Sequence, residues 1–436
     1  MYQCLVVHEF DIITTNKDYK GYQRYQYLDN RYFKELELFI NEYEPEDESD
    51  LSEFFTIRSM AREKTIVVKN YVGIIELPSG FQIEVLPKID FLNKDSGDNI
   101  SRAVFLDMLN CYWKISNKSI QSAFLDTYKG NLFEVFVSMY IEDVVKLVSH
   151  GIKSSYNYQE DNLHFFKGKL KVSENIKRNL AHKERFYMMF DEYTVNRPEN
   201  KIVKATLLYL LKKSSSADNV RRIRQLLSNF EMVEASKNYV ADLARITLGR
   251  DNKDYEMLIK WSEVFLSGKT FTSFSGETES KALLFPMEKL FEGYVAQWVW
   301  NVFGRNGWNV SRQEETLHLF DEPETFTLRP DIIARKGDVT VIMDTKWKRL
   351  TNEPEKNYGI SQVDMYQMYA YSKKYSVQDG IVPEVWLLYP YCKEANDIGE
   401  PVFTSKDGVK VHICFVNVNI QEIENSICEF LNKVEP

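Results

Sequence analysis

The sequence predicts a multidomain α+β protein, with a β-rich N-terminal domain, a helical middle domain and a C-terminal α/β domain. Three observations carry this. A chain of 436 residues exceeds what one hydrophobic core usually serves, so it divides. Hydrophobic residues at 44% and charged residues at 27% strike the ordinary globular balance, which excludes wholesale disorder. The texture also shifts twice along the chain, which places the domains at 1–95, 96–275 and 276–436.

The N-terminal domain is read from β-branched runs at 65–68, 73–77 and 81–86. Pro78-Ser79-Gly80 is a turn signal, so 71–87 forms a hairpin. The acidic run 42–53 (EYEPEDESDLSE) is a solvated loop. From about 101 to 267 the apolar residues recur at helical spacing, first through Val104, Leu106, Met108 and Leu109, then from Leu132 to Val148. Gly151 marks a helix stop, and 200–213 and 220–233 are two further helices around the polar stretch 214–219. The clusters Lys167/Lys169/Lys171 and Arg221/Arg222/Arg224 are solvated faces before they are phosphate contacts. The polar stretch 270–281 is a linker, 283–302 is helical, and strands then alternate with helices to the end, the pattern of an α/β domain.

Several function classes are excluded by absence of their signals. No apolar run reaches the roughly 18 residues of a membrane span, and the N-terminus lacks the basic flank and apolar stretch of a signal peptide, so a cytoplasmic protein is expected. Five scattered cysteines with no CxxC pair support neither a disulfide framework nor a structural zinc site. A net charge of −9 argues against a simple basic coat for nucleic acid. Gly268-Lys269-Thr270 is not a nucleotide-binding P-loop, because Glu263 stands where that loop needs glycine.

The chemistry concentrates in 328–348, LRPDIIARKGDVTVIMDTKWK. Asp331 opens a short strand, Ile332 to Ala334, residues 335–338 turn, and Val339 to Trp347 form a second strand. Side chains alternate along a strand, so Asp344 and Lys346 share a face while Thr345 points away. Pairing the two strands as a hairpin sets Asp331 beside Asp344. Two carboxylates and a lysine at one point suit metal-assisted phosphodiester hydrolysis, with Mg²⁺ on Asp331 and Asp344 and Lys346 beside the attacking water. The competing reading is a surface ion pair on an edge strand, disfavoured because both strands look buried. Gln367 and Tyr371 are four apart on one helical face and could orient a water or a phosphate, or serve helix packing. Glu292, in LFEGYV, is either an additional metal ligand or a surface carboxylate.

Asp331, Asp344 and Lys346 match the PD-(D/E)xK nuclease signature, and Gln367 with Tyr371 resembles the QxxxY helix of its RecB-like branch. The rest resembles McrC, the nuclease subunit of McrBC modification-dependent restriction systems. The carrying segments are VGIIELP at 72–78, IEVLPKI at 83–89, FKGKL at 166–170, DEYTVNRPENK at 191–201 and LFPMEKLFE at 284–292. The resemblance implies an endonuclease that acts with an McrB-like AAA+ GTPase hexamer, stimulates it, and cuts methylcytosine-containing double-stranded DNA with Mg²⁺, the GTP being bound by the partner. It assigns docking on the motor to the N-terminal and middle parts and cutting to the C-terminal domain. The segments at 166–170 and 191–201 are read as structural, and residues 1–70 carry little that matches. Two other readings are a self-sufficient nuclease of the same superfamily and a non-enzymatic motor activator with a vestigial nuclease fold.

Overall fold

A computed structural model describes residues 4–22, 24–42, 44–45, 54–60, 63–89, 97–112, 132–247, 249, 252–267, 274–275, 281–380 and 382–434. Most of the acidic run 42–53, most of the polar stretch 270–281, and Gly268-Lys269-Thr270 therefore lie outside the described residues. The protein is a mixed α+β chain in two compact units. One comprises 1–129, 274–280 and 284–436; the other comprises 130–273 with 281–283. Among the described residues no helix is long and apolar enough to cross a membrane.

In the first unit, β1 (Cys4–His8) runs parallel to β3 (Gln82–Leu86), which pairs antiparallel with β2 (Tyr71–Glu76). The expected hairpin is thus present. Gly80 sits at φ +80° and returns its N–H to Leu77 at 2.8 Å, a left-handed position that favours glycine. Every residue of β3 is buried, as a strand covered on both faces requires. A second sheet orders 25–27, 12–14, 63–68 and 55–60.

The C-terminal part of this unit is built on a six-stranded sheet. Helix α1 (Met287–Arg305) leads into β4 (Asn309–Arg312), then β5 (Ile332–Lys336) and β6 (Val339–Thr345). Helix α2 (Gln362–Asp379), β7 (Glu384–Pro390), β8 (Val402–Thr404), β9 (Lys410–Val416) and α3 (Ile423–Val434) follow. The order is β4-β5-β6-β7-β9-β8. β5 and β6 are antiparallel neighbours, whereas β6, β7 and β9 are parallel, so α2 serves as the crossover between β6 and β7. Central position explains the near-continuous apolar text of β6 and β7. Helix α2 begins where the Ser361 hydroxyl accepts the Val363 N–H at 3.2 Å and ends at Gly380, φ +72°. Ile333, Ile342, Met368, Tyr371, Tyr375, Val385, Leu387 and Ile413 form the core between sheet and helix.

One expectation here needs correcting. Residues 283–286, read as the start of a helix, belong to the strand Lys281–Pro286, and α1 begins only at Met287. Pro286 is extended, at ψ 122°, and sets the boundary. An all-apolar run such as ALLF has no period by which helix and strand can be told apart.

The second unit surrounds the helix Leu132–His150, which packs on Lys253–Ser267 through Phe136 and Trp261 and through the Tyr140–Ser262 hydrogen bond of 2.9 Å. Gly151 ends the first helix at φ +88°. Buried Glu134 accepts from Ser214 and Ser215 hydroxyls, the Ser215 N–H and Asn219, and so pins the loop between the helices Pro198–Lys213 and Ala217–Leu227. This region also contains a sheet that the helical reading missed. Ser155–Leu163 pairs along its full length with Phe186–Thr194, and Lys169–Leu170 adds a third strand. Neither face of Ser155–Leu163 is fully buried, so no apolar alternation announces it.

Part of the segment 191–201 is tied into the second unit by hydrogen bonds. Buried Asn200 donates to the carbonyls of Lys153 and Val195 and accepts from Tyr255 at 2.6 Å, while Arg197 pairs with Glu199 at 2.8 Å. Of the basic clusters, Lys167 pairs with Glu192, Lys171 with Glu160, Arg221 with Asp218 and Arg222 with Glu142.

Candidate active site

The β5–β6 register, Ile332 opposite Met343, brings Asp331 to the end of β6 where Asp344 lies. Asp344 is 1% exposed on a central strand, which removes the edge-strand ion pair as an explanation. Its Oδ2 meets the Lys346 ammonium at 2.6 Å. Lys346 Nζ also donates to Gln367 Oε1 at 3.4 Å, and Gln367 Nε2 donates to the Tyr371 hydroxyl at 2.7 Å. The helical face carrying Gln367 and Tyr371 therefore backs the lysine, with Tyr371 itself buried in the core. Glu292, half-buried on α1, accepts from Gln313 Nε2 at 2.7 Å.

Burial and mutual repulsion shape the electrostatics. Burial, then the Asp331 charge, pushes Asp344 up to about 7, against the pull of Lys346. Glu292 is likewise pushed up to about 7 by burial and then by Asp331. Burial raises Asp331 too, opposed by hydrogen bonds from Thr345. Burial alone would lower Lys346, but the carboxylates of Asp344 and Asp331 reverse this and hold it above its ordinary value.

The donor set fits a hard divalent cation: carboxylates held against their own repulsion are stabilised by an added positive charge, and Mg²⁺ takes one or two protein carboxylates with water and substrate oxygens. Asp331 and Asp344 are the two that could fill that role. Among the described residues no three His, Cys, Asp or Glu side chains converge on one point, so Glu292 stands beside the pair without closing a three-carboxylate set.

Two residues of the cluster escaped sequence reasoning. Thr345 does not point away: its N–H and its hydroxyl both reach Asp331 Oδ2, each at 2.7 Å. The strand ends at this residue, where alternation no longer governs direction. Gln313, at φ +44°, donates its backbone N–H to the Asp331 carbonyl at 3.1 Å while its amide holds Glu292. A glutamine after a strand carries no signal of this, because both partners are distant in sequence.

The family model described as McrBC 5-methylcytosine restriction system component matches residues 66–390. The chain belongs to this family. The McrBC-family match takes in the β2–β3 hairpin, the whole second unit and all six of the site residues Glu292, Asp331, Asp344, Lys346, Gln367 and Tyr371. By structure, the chain is similar over 99% of its length to all of a chain from the refined half-complex of a tetradecameric assembly of Thermococcus gammatolerans McrB AAA+ hexamers with bound McrC, at 17% identity and TM-score 0.68. A chain of the cryo-EM structure of the Thermococcus gammatolerans McrBC complex aligns at 20% identity and TM-score 0.47, covering 68% of this chain and 86% of that one. No curated protein matches this McrBC-family chain.

The strand end carrying Lys346 is anchored from the N-terminal sheets. The next residue, Trp347, donates its indole N–H to both Glu9 oxygens at 3.1 Å, and Glu9 Oε2 also accepts the Lys88 N–H at 3.1 Å. Burial pushes Glu9 from 4.5 up to about 8. The folded state then keeps a proton that the unfolded chain releases, so this group costs nothing below pH 4.5 and erodes stability as pH rises toward about 8. The slope is at most about 1.4 kcal/mol per pH unit. Glu9→Gln is expected to flatten that part of the pH–stability curve between pH 5 and 8 in urea unfolding; an unchanged slope would place the titration elsewhere.

Proposed function

We propose that this chain is the endonuclease subunit of a modification-dependent restriction system, hydrolysing DNA phosphodiesters by PD-(D/E)xK chemistry at Asp331, Asp344 and Lys346, with segment 276–436 as the cutting part. The observation that carries the reading is the convergence of the buried Asp344, the half-buried Asp331 and a lysine at one strand end, in a chain of the McrBC family. Asp331 and Asp344 would hold Mg²⁺, which would supply Lewis-acid stabilisation of charge at the phosphate. Lys346 presents an ammonium to the site, where it orients the attacking water and balances negative charge developing on the phosphate. Gln367 keeps that ammonium in place, and Tyr371 keeps Gln367 in place. Thr345 fixes the Asp331 carboxylate so that one oxygen remains for other partners.

The partner in this reading is an McrB-like AAA+ GTPase hexamer that reads methylcytosine and binds the GTP. Its support is the structural neighbour described with McrC bound to such hexamers, together with Glu263 in the position where a P-loop needs glycine. The test is cleavage of methylated and unmethylated plasmid with and without Mg²⁺, the partner and GTP. Cutting of methylated DNA only when all are present is expected. Full-rate cutting by the chain alone would overturn the division of labour, and no cutting under any combination would overturn the nuclease reading.

Thr345→Val removes one charge-assisted hydrogen bond to Asp331 and leaves the N–H bond. Such a bond is worth roughly 1.5–3 kcal/mol, so single-turnover cleavage should fall about tenfold or more, with Thr345→Ser near the parent rate. Equal rates for the three proteins would show that the hydroxyl does nothing for the reaction.

A further inference from the structure

A cavity opens past the carboxyl ends of the parallel strands β6 and β7, and none of Asp331, Asp344, Lys346, Gln367 or Tyr371 lines it. Lys346 reaches toward Gln367 of α2, whereas Trp347 turns the other way and meets Phe291 of α1 at 5.3 Å between ring centres. The cavity encloses about 530 Å³, the size of a small-molecule site. Crevices beyond the carboxyl ends of parallel strands are where open α/β sheets commonly take ligands.

The lining has a definite chemistry. Four basic residues line it, Arg24, Lys88, Lys348 and Arg349, against two acids, Glu9 and Glu288. Lys348 donates to the Gly359 carbonyl and Arg349 pairs with Glu394, so those two are fixed in place. Burial raises Glu9 above neutrality, which leaves the cations less opposed than the formal count suggests. Trp347 and Tyr391 supply aromatic surface. Phe10 and Arg24, also in the lining, hold left-handed backbone at φ +65° and +76°. Non-glycine residues adopt that region at a cost of order 1–3 kcal/mol and cluster at ligand clamps.

We propose that this cavity binds a nucleotide, its phosphate held by Arg24 and Lys88 and its base or sugar against Trp347 and Tyr391. A phosphate ester is chosen over a smaller anion because cations line only part of a cavity far larger than an inorganic ion, and the aromatic rings line another part. The nucleotide could be free or the end of a DNA strand; the shared group is a phosphate next to a base. This inference does not depend on the nuclease reading.

The test is calorimetric titration of the full-length protein, without metal, using dCMP, a 5′-phosphorylated tetranucleotide and deoxycytidine. Saturable binding of dCMP or the tetranucleotide below about 1 mM, with none of deoxycytidine, is expected. Arg24→Gln/Lys88→Gln should weaken it about tenfold or more. Lys88→Gln alone should give a smaller loss, and serves if the double variant fails to fold. Asp344→Asn should bind as the parent does. Tighter tetranucleotide binding assigns the site to a DNA strand, and tighter dCMP binding assigns it to a free nucleotide. Absence of saturable binding, full affinity in the Lys88→Gln or double variant, or loss of binding in Asp344→Asn would each overturn the proposal.

Discussion

The Asp344→Asn protein is expected to cleave DNA about a thousandfold more slowly or worse, yet to melt at a higher temperature than the parent when divalent metal is absent. The first effect follows from removing a proposed metal ligand, since the lost charge stabilisation amounts to several kcal/mol and each 1.36 kcal/mol is tenfold in rate. The second follows from what the native carboxylate endures. Asp344 is 1% exposed, faces Asp331, and holds its proton up to about pH 7 rather than 3.8. An unfolded chain releases that proton, so the carboxyl erodes stability progressively as pH rises from 3.8 to about 7. Asparagine never ionises, and the gain should be near zero at pH 4 and largest at pH 8. Lys346 is not stranded by the change, because Asp331 and Asp364 still act on it. Thermal melts of both proteins in EDTA at pH 4, 6 and 8 check this. A lower melting temperature for the variant at pH 8 would mean that the Asp344–Lys346 pair is a net stabiliser, and cleavage above a tenth of the parent rate would remove Asp344 from the mechanism.

The second large effect lies far from any chemistry. Gly168 holds φ +75°, and a Cβ placed there would stand 2.3 Å from the Met189 carbonyl oxygen and 2.7 Å from Phe190 Cβ. The obstruction includes the backbone of the long strand Phe186–Thr194, which cannot swing aside as a flexible side chain could. Left-handed backbone costs a non-glycine residue roughly 1–2 kcal/mol and overpacking typically another 1–3. Gly168→Ala should therefore destabilise the second unit by roughly 2–5 kcal/mol in urea unfolding. Gly249→Ala, whose Cβ would meet nothing within 4 Å, is the matched control. Equal stability of the two variants would refute the steric account. The motif FKGKL at 166–170 is explained by this close approach: its glycine lets the short strand Lys169–Leu170 lie against its neighbour.

How far the sequence could be read depended on the range of the interaction. β5, β6 and the Asp331, Asp344, Lys346 grouping were legible because fewer than twenty residues hold all of them, and alternation along a strand is a local rule. The hairpin at 71–87 was legible for the same reason. What escaped was either long-range or without an apolar pattern. Glu9 and Trp347 meet across 338 positions, and Gln313 is defined by partners on α1 and immediately before β5. Ser155–Leu163 was missed because the strand buries neither face well. Thr345 was misdirected by applying strand alternation at the last residue of the strand, where the pairing that enforces it stops.

The Glu9–Trp347 bond also constrains the order in which the chain can be assembled. Residues 130–273 form their own unit in the middle of a chain whose first and last thirds share the other. During synthesis that middle unit is complete while the six-stranded sheet does not yet exist, so β1 must wait for more than three hundred residues before its neighbour Glu9 finds an indole. High sequence separation of this kind makes folding slow and leaves early strands exposed in the interval. It also means that the C-terminal segment cannot be excised cleanly. Cutting the chain before α1 would leave the Trp347 indole without its acceptor and open the face of α1 on which Gly293 lies against Tyr112. Expression of the isolated segment 276–436 thus exposes surface on Trp347 and α1 that Glu9 and Tyr112 cover in this chain.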